Sequence, residues 1–196
     1  GTVDNSHVLI EGDGVTVRNT TLERGSLIDV AGDDVRIVDS DIDNPLGPSG
    51  SSAYAISADT RGLVVEETTI SNISDDDAIN LYQSASDFVI RENEFVSVDH
   101  AVSVNGDTPT SGAITGNTIH NATFGVQVGA PNVTVAKNAM TNVSNGVTVS
   151  SSNATVRDNS IDGGGTGYAG VQVGGGRQNT TVMGNVIEAT GDGVRG

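Results

Sequence analysis

Five residues of the chain have the types and the spacing needed for acid/base chemistry: Asp75, Asp76, Asp77, Asp99 and His100. The three aspartates precede a short strand pattern, and the Asp-His pair precedes the same pattern one repeat later. When the two patterns are aligned, His100 falls beside Asp77, and Asp99 falls beside Asp76. Closely spaced carboxylates raise the pKa of one member while the other stays ionised, and a nearby imidazole can exchange protons with them. The pattern predicts a catalytic set of Asp76, Asp77, Asp99 and His100.

The same aspartates have two other interpretations. In a chain this rich in acid they form a solvated turn, or their oxygens bind a cation such as calcium, which prefers oxygen ligands. The calcium hypothesis uses Asp75, Asp76 and Asp77. His7 and His120 have no identifiable partner, and no cluster of His, Cys and Glu has the spacing of a zinc site.

An eight-residue unit, here called the octapeptide, recurs along the chain and must position these residues. It begins at residues 15, 35, 63, 88, 112, 133, 154 and 180, in steps of 20 to 28 residues. Its positions 1 and 3 are mostly apolar, and its position 8 always is, as strands that bury one face require. Five copies carry Asn at position 6, which predicts an internal hydrogen-bonded ladder and suits a bend with positive φ. These residues are Asn93, Asn117, Asn138, Asn159 and Asn185.

A second apolar pair follows each octapeptide after a turn, as Ile79 and Leu81 follow the one at residue 63; after the one at residue 35 the pair is Tyr54 and Ile56. Two or three short strands in each coil, without helical periodicity, predict an all-β fold, a right-handed parallel β-helix of about eight coils. Coils about 4.8 Å apart would make a rod roughly 35–40 Å long. Residues 1–196 are then one solenoid domain, interpreted as a segment of a longer chain. Insertions at 43–53, 107–111 and 163–170 are candidate groove walls.

The middle residue of each second strand should point outward and form a polar row along the rod. Asn80, Ser103 and Gln127 lie in this row and are the candidate substrate-binding residues, since such a row could hydrogen-bond a glycan. The alternative is an ordinary solvated sheet face. The full predicted row is Asp29, Ala55, Asn80, Ser103, Gln127, Thr148, Gln172 and Arg195.

The composition excludes several classes of function. The net charge is −16, and the only lysine is Lys137, so nucleic acid would be repelled. No apolar run is long enough to span a membrane, and without Cys there is no disulfide framework. Dispersed aspartates with almost no lysine indicate a halophile protein, in which high salt screens self-repulsion. An ordinary acidic secreted protein is the alternative.

Asn-x-Ser/Thr tripeptides indicate N-glycosylation and an extracellular or cell-surface location. A repeat rich in Asn and Thr also produces such tripeptides by chance, and three of them occupy one equivalent turn position. The seven candidate asparagines are Asn19, Asn72, Asn121, Asn132, Asn142, Asn153 and Asn179.

The octapeptide, the Gly-Val-x-Val second strand and the variable loops resemble the repeats of the parallel β-helix family. These repeats are shared by polysaccharide lyases, glycoside hydrolases, epimerases and NosD-like periplasmic proteins. The resemblance covers essentially the whole chain, and it implies the fold together with a carbohydrate partner. It is weak for activity, because one fold hosts many chemistries.

Part of the chain also resembles polygalacturonases, glycoside hydrolases with an Asp-Asp pair before one strand and Gly-His-Gly before the next. The matching segments are Asp76-Asp77-Ala-Ile-Asn-Leu and Asp99-His100-Ala-Val-Ser-Val. The family's Asn-Thr-Asp one coil earlier is replaced by Gly50-Ser51-Ser52, and its Arg-Ile-Lys one coil later is replaced by Gln127-Val128-Gly129. A third catalytic carboxylate and the cations that bind uronate are thus absent from the pattern, with Arg91 the only basic residue nearby.

Two functions follow from these patterns. The first is an extracellular β-helix module that binds carbohydrate or serves as a rigid structural or assembly domain. The alternative is a polysaccharide hydrolase, lyase or epimerase that uses Asp76, Asp77 and His100. Neither end shows a capping helix, and an uncapped coil exposes unpaired strand edges, so end-to-end or lateral protein assembly is a further expectation.

Overall fold

The computed structural model describes residues 1–43, 54–106 and 111–196. These residues form strands joined by turns and bends, with no helix among them that is long and apolar enough to cross a membrane. The strands of the described ranges are β1 (Thr2–Asp4), β2 (His7–Ile10), β3 (Thr16–Arg18), β4 (Thr21–Glu23), β5 (Leu27–Val30), β6 (Arg36–Val38), β7 (Asp41–Asp43), β8 (Ile56–Ala58), β9 (Val64–Glu66), β10 (Thr69–Leu81), β11 (Phe88–Arg91), β12 (Glu94–Val104), β13 (Gly112–Thr115), β14 (Thr118–Val128), β15 (Val133–Ala136), β16 (Ala139–Val149), β17 (Thr155–Arg157), β18 (Ser160–Val173), β19 (Thr181–Met183) and β20 (Val186–Arg195).

The strands form two parallel sheets, one of twelve strands and one of eight, and each coil adds to both. The smaller sheet holds the start of each octapeptide and runs β3-β6-β9-β11-β13-β15-β17-β19. The larger sheet holds the end of each octapeptide and the second strand. In β10, β12, β14, β16, β18 and β20 the two are one continuous strand. The chain is therefore a parallel β-helix of about eight coils, as the repeat predicts.

Stacked apolar residues fill the space between the sheets. Position 8 of the octapeptide pairs with itself from coil to coil, from Ile70 to Phe95 and then Ile119. Position 3 does the same in the smaller sheet, where Ile90 lies between Val65 and Ile114. These side chains are at most 1% exposed. Each layer is thin, so small β-branched residues fill it and stiffen it.

The asparagine ladder is confirmed. Asn117 Nδ2 donates to Asn138 Oδ1 at 2.9 Å, and the same bond links Asn93 to Asn117 and Asn138 to Asn159. Each Nδ2 also donates to a backbone carbonyl, so the amides satisfy buried groups at the bend. The expected positive φ is found one residue earlier, at position 5, where Lys137 has a φ of 59°.

The third coil, counted from the one that contains β2, differs from the sequence interpretation. The inward pair is Ile56 and Ala58, because Ile56 pairs with both Ile28 and Ile79. Ser57, rather than Ala55, therefore lies in the outward row. The prediction was wrong by two residues. The preceding insertion interrupts the regular spacing of the repeat, and a tyrosine was then taken as an inward apolar residue of the strand.

The insertions have different outcomes. Residues 44–53 and 107–110, which include most of the first two, lie outside the described ranges. The third, at 163–170, belongs to β18, where the register against β20 shifts between Asp162 and Gly167. The insertion is accommodated as a local irregularity within β18 instead of forming a separate loop.

Candidate functional site

Asp77 in β10 and His100 in β12 are register partners on the larger sheet, as the sequence predicts. A β-bulge or irregularity between Ile73 and Asp77 shifts the pairing just before this point. The register is fixed again because Ile79 pairs with Val102 inside the core. Burial of the apolar pair thus sets the two polar residues side by side.

The imidazole of His100 lies between two carboxylates. Its Nδ1 is 3.5 Å from Asp77 Oδ1 and 3.2 Å from Asp99 Oδ2. Nδ1 is buried, and neither contact is aligned as a hydrogen bond within the described residues. Nδ1 therefore lies close to both carboxylates without a hydrogen bond to either.

Asp77 is a buried carboxyl, with 9% of the residue exposed. Ser103 Oγ donates to its Oδ1, and its own backbone N–H donates to Asp76 Oδ1 at 2.9 Å. Burial raises the pKa of Asp77, against the Ser103 hydrogen bond and the His100 charge, which lower it; Asp76 and Asp99 raise it further. Asp77 thus holds its proton more tightly than an exposed aspartate, which suits a proton donor.

Two aromatic side chains lie near this pair. The Phe124 ring stacks on the His100 ring, with centroids 4.7 Å apart and planes 8° from parallel. Tyr82 follows β10 and is 36% exposed; burial raises its pKa first, and then the nearby Tyr54, Asp76 and Asp77 raise it further. The sequence interpretation missed these aromatics, although Phe124 precedes Val126 by two residues as His100 precedes Val102.

The candidate binding residues Asn80, Ser103 and Gln127 do lie on consecutive rungs of one row. Ser103 is 1% exposed, and its hydroxyl is engaged by Asp77, so it positions that carboxyl. Asn80 is also buried, and its Oδ1 accepts a hydrogen bond from Asn105 Nδ2 at 3.0 Å. Gln127 is half-buried, so it is the member of the three best placed to contact a ligand.

Among the residues that the structure describes, no group of three or more His, Asp or Glu side chains is placed to hold a metal ion. Asp75 is exposed, and Ser74 Oγ donates to its Oδ2 at 3.2 Å. Asp76 Oδ1 accepts the Asp77 amide. A calcium ion at Asp75, Asp76 and Asp77 stays a prediction.

The remaining histidines and the one nearby cation have partners. His7 Nε2 lies 2.6 Å from Asp29 Oδ2, and His120 Nδ1 contacts Thr141 Oγ1, so the expectation that neither has a partner was wrong. Arg91 is on the smaller sheet, paired with Glu66. Arg91 thus forms an ion pair on the opposite sheet from the Asp77 cluster.

The two registers compared with polygalacturonases can be placed only in part. Residues 50–52 lie outside the described ranges. Since Ile56 pairs with Ile79, Tyr54 occupies the place in the third coil that Asp77 occupies in the fourth. Gln127 and Val128 do follow Ser103 and Val104 in register.

All seven asparagines of the N-glycosylation tripeptides are exposed and have positive φ, a conformation that Asn adopts more readily than most residues. Some stack in pairs: Asn142 Nδ2 donates to Asn121 Oδ1 at 2.8 Å, and Asn179 Nδ2 donates to Asn153 Oδ1 at 3.2 Å. The turn conformation by itself explains why Asn recurs, while the exposure is what glycosylation would need.

Residues 54–195 match the model of a protein family described as the right handed beta helix region. No curated protein sequence matches the chain closely enough to count as a relative.

Several solved structures are similar. The PL6 family alginate lyase AlyGC matches with a TM-score of 0.65 and 13% identity, over 99% of this chain and 36% of that chain. A tailspike protein of E. coli bacteriophage HK620, in complex with a pentasaccharide, matches with a TM-score of 0.63 and 13% identity, over 95% of this chain and 44% of that chain. The major allergen from cedar pollen has a TM-score of 0.59 and 13% identity, over 96% of this chain and 69% of that one.

At these identities the similarity establishes the fold alone. The chain also spans less than half the length of the lyase and of the tailspike.

Proposed function

The chain belongs to the right-handed β-helix family, whose model matches residues 54–195, and from this premise we propose that it is a carbohydrate-binding module. The observation that carries the proposal is the cluster of Asp77, His100, Phe124 and Tyr82 on the larger sheet. Sugars bind where aromatic faces cover their C–H groups and polar groups hydrogen-bond their hydroxyls. Two of the similar structures have carbohydrate in their names, as an alginate lyase and as a complex with a pentasaccharide.

The distribution of aromatics supports this assignment. The chain has three Phe and three Tyr, and two of them, Phe88 and Phe95, lie in the core. Of the other four, Phe124 stacks on His100, and Tyr82, whose pKa burial raises first, lies near enough to Tyr54, Asp76 and Asp77 for each of them to raise it further. Three aromatics outside the core therefore lie near the Asp77–His100 pair, where a sugar ring could contact them.

The test is affinity electrophoresis in gels containing glucomannan, xylan, alginate or chitosan. The wild-type chain should be retarded by a neutral polymer more than by alginate, because the cluster presents carboxylates and no guanidinium. Phe124→Leu and Tyr82→Ala should weaken retardation about 10-fold in apparent affinity. Leu9→Ala is the matched control, since Leu9 is 55% exposed on the same sheet but lies away from the cluster. Retardation that survives both aromatic changes rejects the proposal.

A second candidate function is hydrolysis, elimination or epimerisation of a polysaccharide, and the raised pKa of Asp77 beside His100 favours it. In hydrolysis, Asp77 would donate a proton to the leaving oxygen, and Asp99 or Asp76 would accept a proton from the attacking water. Ser103 is not assigned as a nucleophile, because it is 1% exposed.

Turnover separates the two functions. If the chain cleaves the polymer that it binds, Asp77→Asn should lower kcat by at least about 100-fold while the variant is still retarded in the gel. Absence of any new reducing ends with the wild-type chain after prolonged incubation would reject catalysis and leave the binding function standing.

For the location we propose a cell surface or extracellular site in a high-salt environment. The net charge of −16 supports the salt requirement, and the seven exposed tripeptide asparagines support the location. The melting temperature should rise when KCl is increased from about 0.1 M to about 2 M, as screening removes self-repulsion. A melting temperature that is independent of salt would contradict the halophile assignment.

A further inference from the structure

The chain contains two Asn-Gly dipeptides, Asn105–Gly106 and Asn145–Gly146. At such a dipeptide the backbone nitrogen of glycine can attack the side-chain Cγ of asparagine, because glycine has no Cβ to hinder the approach. The attack closes a succinimide ring and releases the amide nitrogen as ammonia. In a folded protein it requires the asparagine side chain and the glycine nitrogen to move together, and the two dipeptides differ in this respect.

Asn145–Gly146 is held inside the larger sheet. It lies within β16, which pairs with β14 on one side and with β18 on the other. Asn145 is 9% exposed, and even a Cβ added at Gly146 would overlap the carbonyl oxygen of Gly170. Ring closure there would require the strand to leave its neighbours, so this dipeptide should be inert in the folded chain.

Asn105–Gly106 lies at the surface, after the end of β12 at Val104. The register of β12 with β10 and with β14 also ends at Val104, so the dipeptide follows the paired part of the strand. Asn105 is exposed, and its backbone N–H donates to the Leu81 carbonyl oxygen at 2.7 Å. The bonds that must rotate for ring closure come after this nitrogen, where β12 no longer restrains the chain.

One hydrogen bond restrains the Asn105 side chain. Its Nδ2 donates to Asn80 Oδ1 at 3.0 Å, and Asn80 is 6% exposed. The amide must leave this acceptor before its Cγ can meet the Gly106 nitrogen. A single hydrogen bond between neutral groups contributes little net free energy, so Asn80 should slow the attack without preventing it.

We propose that Asn105 is a site of spontaneous deamidation, with water as the co-reactant. The Gly106 nitrogen loses its proton and bonds to Asn105 Cγ, the Cγ–Nδ2 bond breaks, and the amide nitrogen leaves as ammonia with that proton. Water then opens the succinimide at either carbonyl carbon, which yields aspartate or isoaspartate at position 105 without any oxidation or reduction. Either product adds one negative charge to a chain whose net charge is −16.

The new charge would lie at the edge of the Asp77 cluster. Leu81 pairs with Val104, so the residues that follow them, Tyr82 and Asn105, lie on neighbouring coils. The product has no amide to donate to Asn80 Oδ1, so a buried acceptor of the outward row loses its partner. Deamidation therefore changes both the charge and the hydrogen bonding beside the cluster.

The test follows both dipeptides in the intact chain during incubation at neutral and at mildly alkaline pH. Peptide mass spectrometry measures the exchange of NH2 for OH, enzymatic methylation detects isoaspartate, and a sample digested without incubation corrects for reaction during digestion. Asn105 should be modified at least about 10-fold faster than Asn145, and faster at the higher pH, because the attack requires a deprotonated nitrogen. No modification at Asn105, or equal rates at the two sites, would overturn the proposal.

A denatured sample shows whether the fold causes the difference. In denaturant the two dipeptides should react at similar rates, and a difference that persists there would place its origin in the local sequence and reject the structural argument. Asn105→Gln should abolish the reaction at this position, because its longer side chain would have to close a larger ring.

Asn80→Ala tests the restraint, and should speed modification of Asn105 about 2- to 10-fold. Asn145 should stay unmodified in this variant, which shows that the sheet is intact. Thr148→Ala, in the same row two coils from Ser103, is the matched control and should leave the rate unchanged. An unchanged rate in Asn80→Ala would remove the restraint from the proposal. The inference is independent of the proposed function, because no glycan enters these measurements.

Discussion

Two carboxyl groups are buried on opposite sheets of this β-helix, and their surroundings shift their pKa values in opposite directions. Glu66 lies in the smaller sheet with a side chain 8% exposed, between Arg36 and Arg91. Asp77 lies in the larger sheet with a side chain 12% exposed, next to a histidine and two other acids. The Arg91 hydrogen bond lowers the pKa of Glu66, whereas burial raises the pKa of Asp77.

The difference separates a carboxylate that stabilises the fold from one that is available for function. Glu66 Oε2 accepts from Arg91 Nε at 2.7 Å, and the guanidinium of Arg36 contacts Oε1, so its charge is balanced where it lies. Asp77 has one neutral side-chain donor, Ser103, and burial makes its ionised form unfavourable. A carboxyl group whose ionisation is disfavoured by burial and by neighbouring acids is a candidate functional residue.

The largest expected effect is the loss of stability in Glu66→Gln. Two guanidinium groups lose their counter-charge, and the free energy of unfolding should fall by about 1–3 kcal/mol. The lower half of that range is expected because Arg36 and Arg91 are 45% and 47% exposed. Denaturant unfolding at neutral pH, followed by circular dichroism, measures it.

The matched control is Glu67→Gln. Glu67 is the next residue but is exposed, and its hydrogen bond to Asp39 raises its pKa because two acids share a proton. Neutralising it should not destabilise the chain. Equal losses for the two variants would mean that the guanidinium pair on Glu66 contributes nothing specific.

Asp77→Asn should change stability in the opposite direction. Because the ionised carboxylate is disfavoured by burial, the amide should raise the free energy of unfolding at pH 7 by less than about 1 kcal/mol. The substituted amide would be neutral, and its oxygen would still accept the Ser103 hydrogen bond. Asp75→Asn, at an exposed aspartate, should have no effect. A loss of stability as large as that of Glu66→Gln would make Asp77 a structural residue.

The pH dependence of these two variants gives a smaller effect with a definite sign. Glu66 has a folded pKa below its ordinary 4.5, so its contribution is present above 4.5 and is lost as pH falls through the folded pKa. Asp77 has a folded pKa above its ordinary 3.8, so the advantage of Asp77→Asn is absent below 3.8 and appears as pH rises through the folded pKa.

Thermal unfolding between about pH 3 and pH 8, at high salt, measures both differences from wild type. The deficit of Glu66→Gln should shrink on the acid side, and the gain of Asp77→Asn should vanish there. A gain of Asp77→Asn that persists in acid would show that its origin is packing, since ionisation no longer distinguishes the two side chains.

Sequence patterns could predict one member of this comparison and not the other. Asp77 and His100 precede apolar pairs that must enter the core, and the period of two in a strand fixes the register of everything beside them. Phe124 obeys the same count but was missed, since a lone phenylalanine is usually read as core. Tyr82 lies just past its strand, where no periodicity applies.

Glu66 was missed for a different reason. Arg91 is its register partner at the same octapeptide position one coil later, a pair that the repeat alignment contained, whereas Arg36 comes from the coil before and sits two octapeptide positions away. Which way a long side chain leans across a sheet is not determined by strand alternation. The third coil shows a second limit of sequence reasoning. After an insertion the repeat spacing no longer predicts the register, which must then be inferred from apolar residue types alone.

The smallest expected effect is in Ser103→Ala, and it completes the comparison. The Ser103 hydrogen bond favours the ionised form of Asp77, as the Arg91 hydrogen bond favours that of Glu66. Removing either donor should raise the pKa of the carboxyl concerned. For Ser103→Ala the pH midpoint of glycan retardation should move upward, and the free energy of unfolding should fall by less than in Glu66→Gln, because a single neutral donor is lost. For Arg91→Gln stability should fall, because Glu66 stays ionised at neutral pH.

Thr148→Ala, in the same row two coils from Ser103, should leave the midpoint in place. A midpoint that does not respond to Ser103→Ala would mean that Asp77 does not titrate in the binding event, and that the larger sheet holds its buried carboxyl for structure, as the smaller one does.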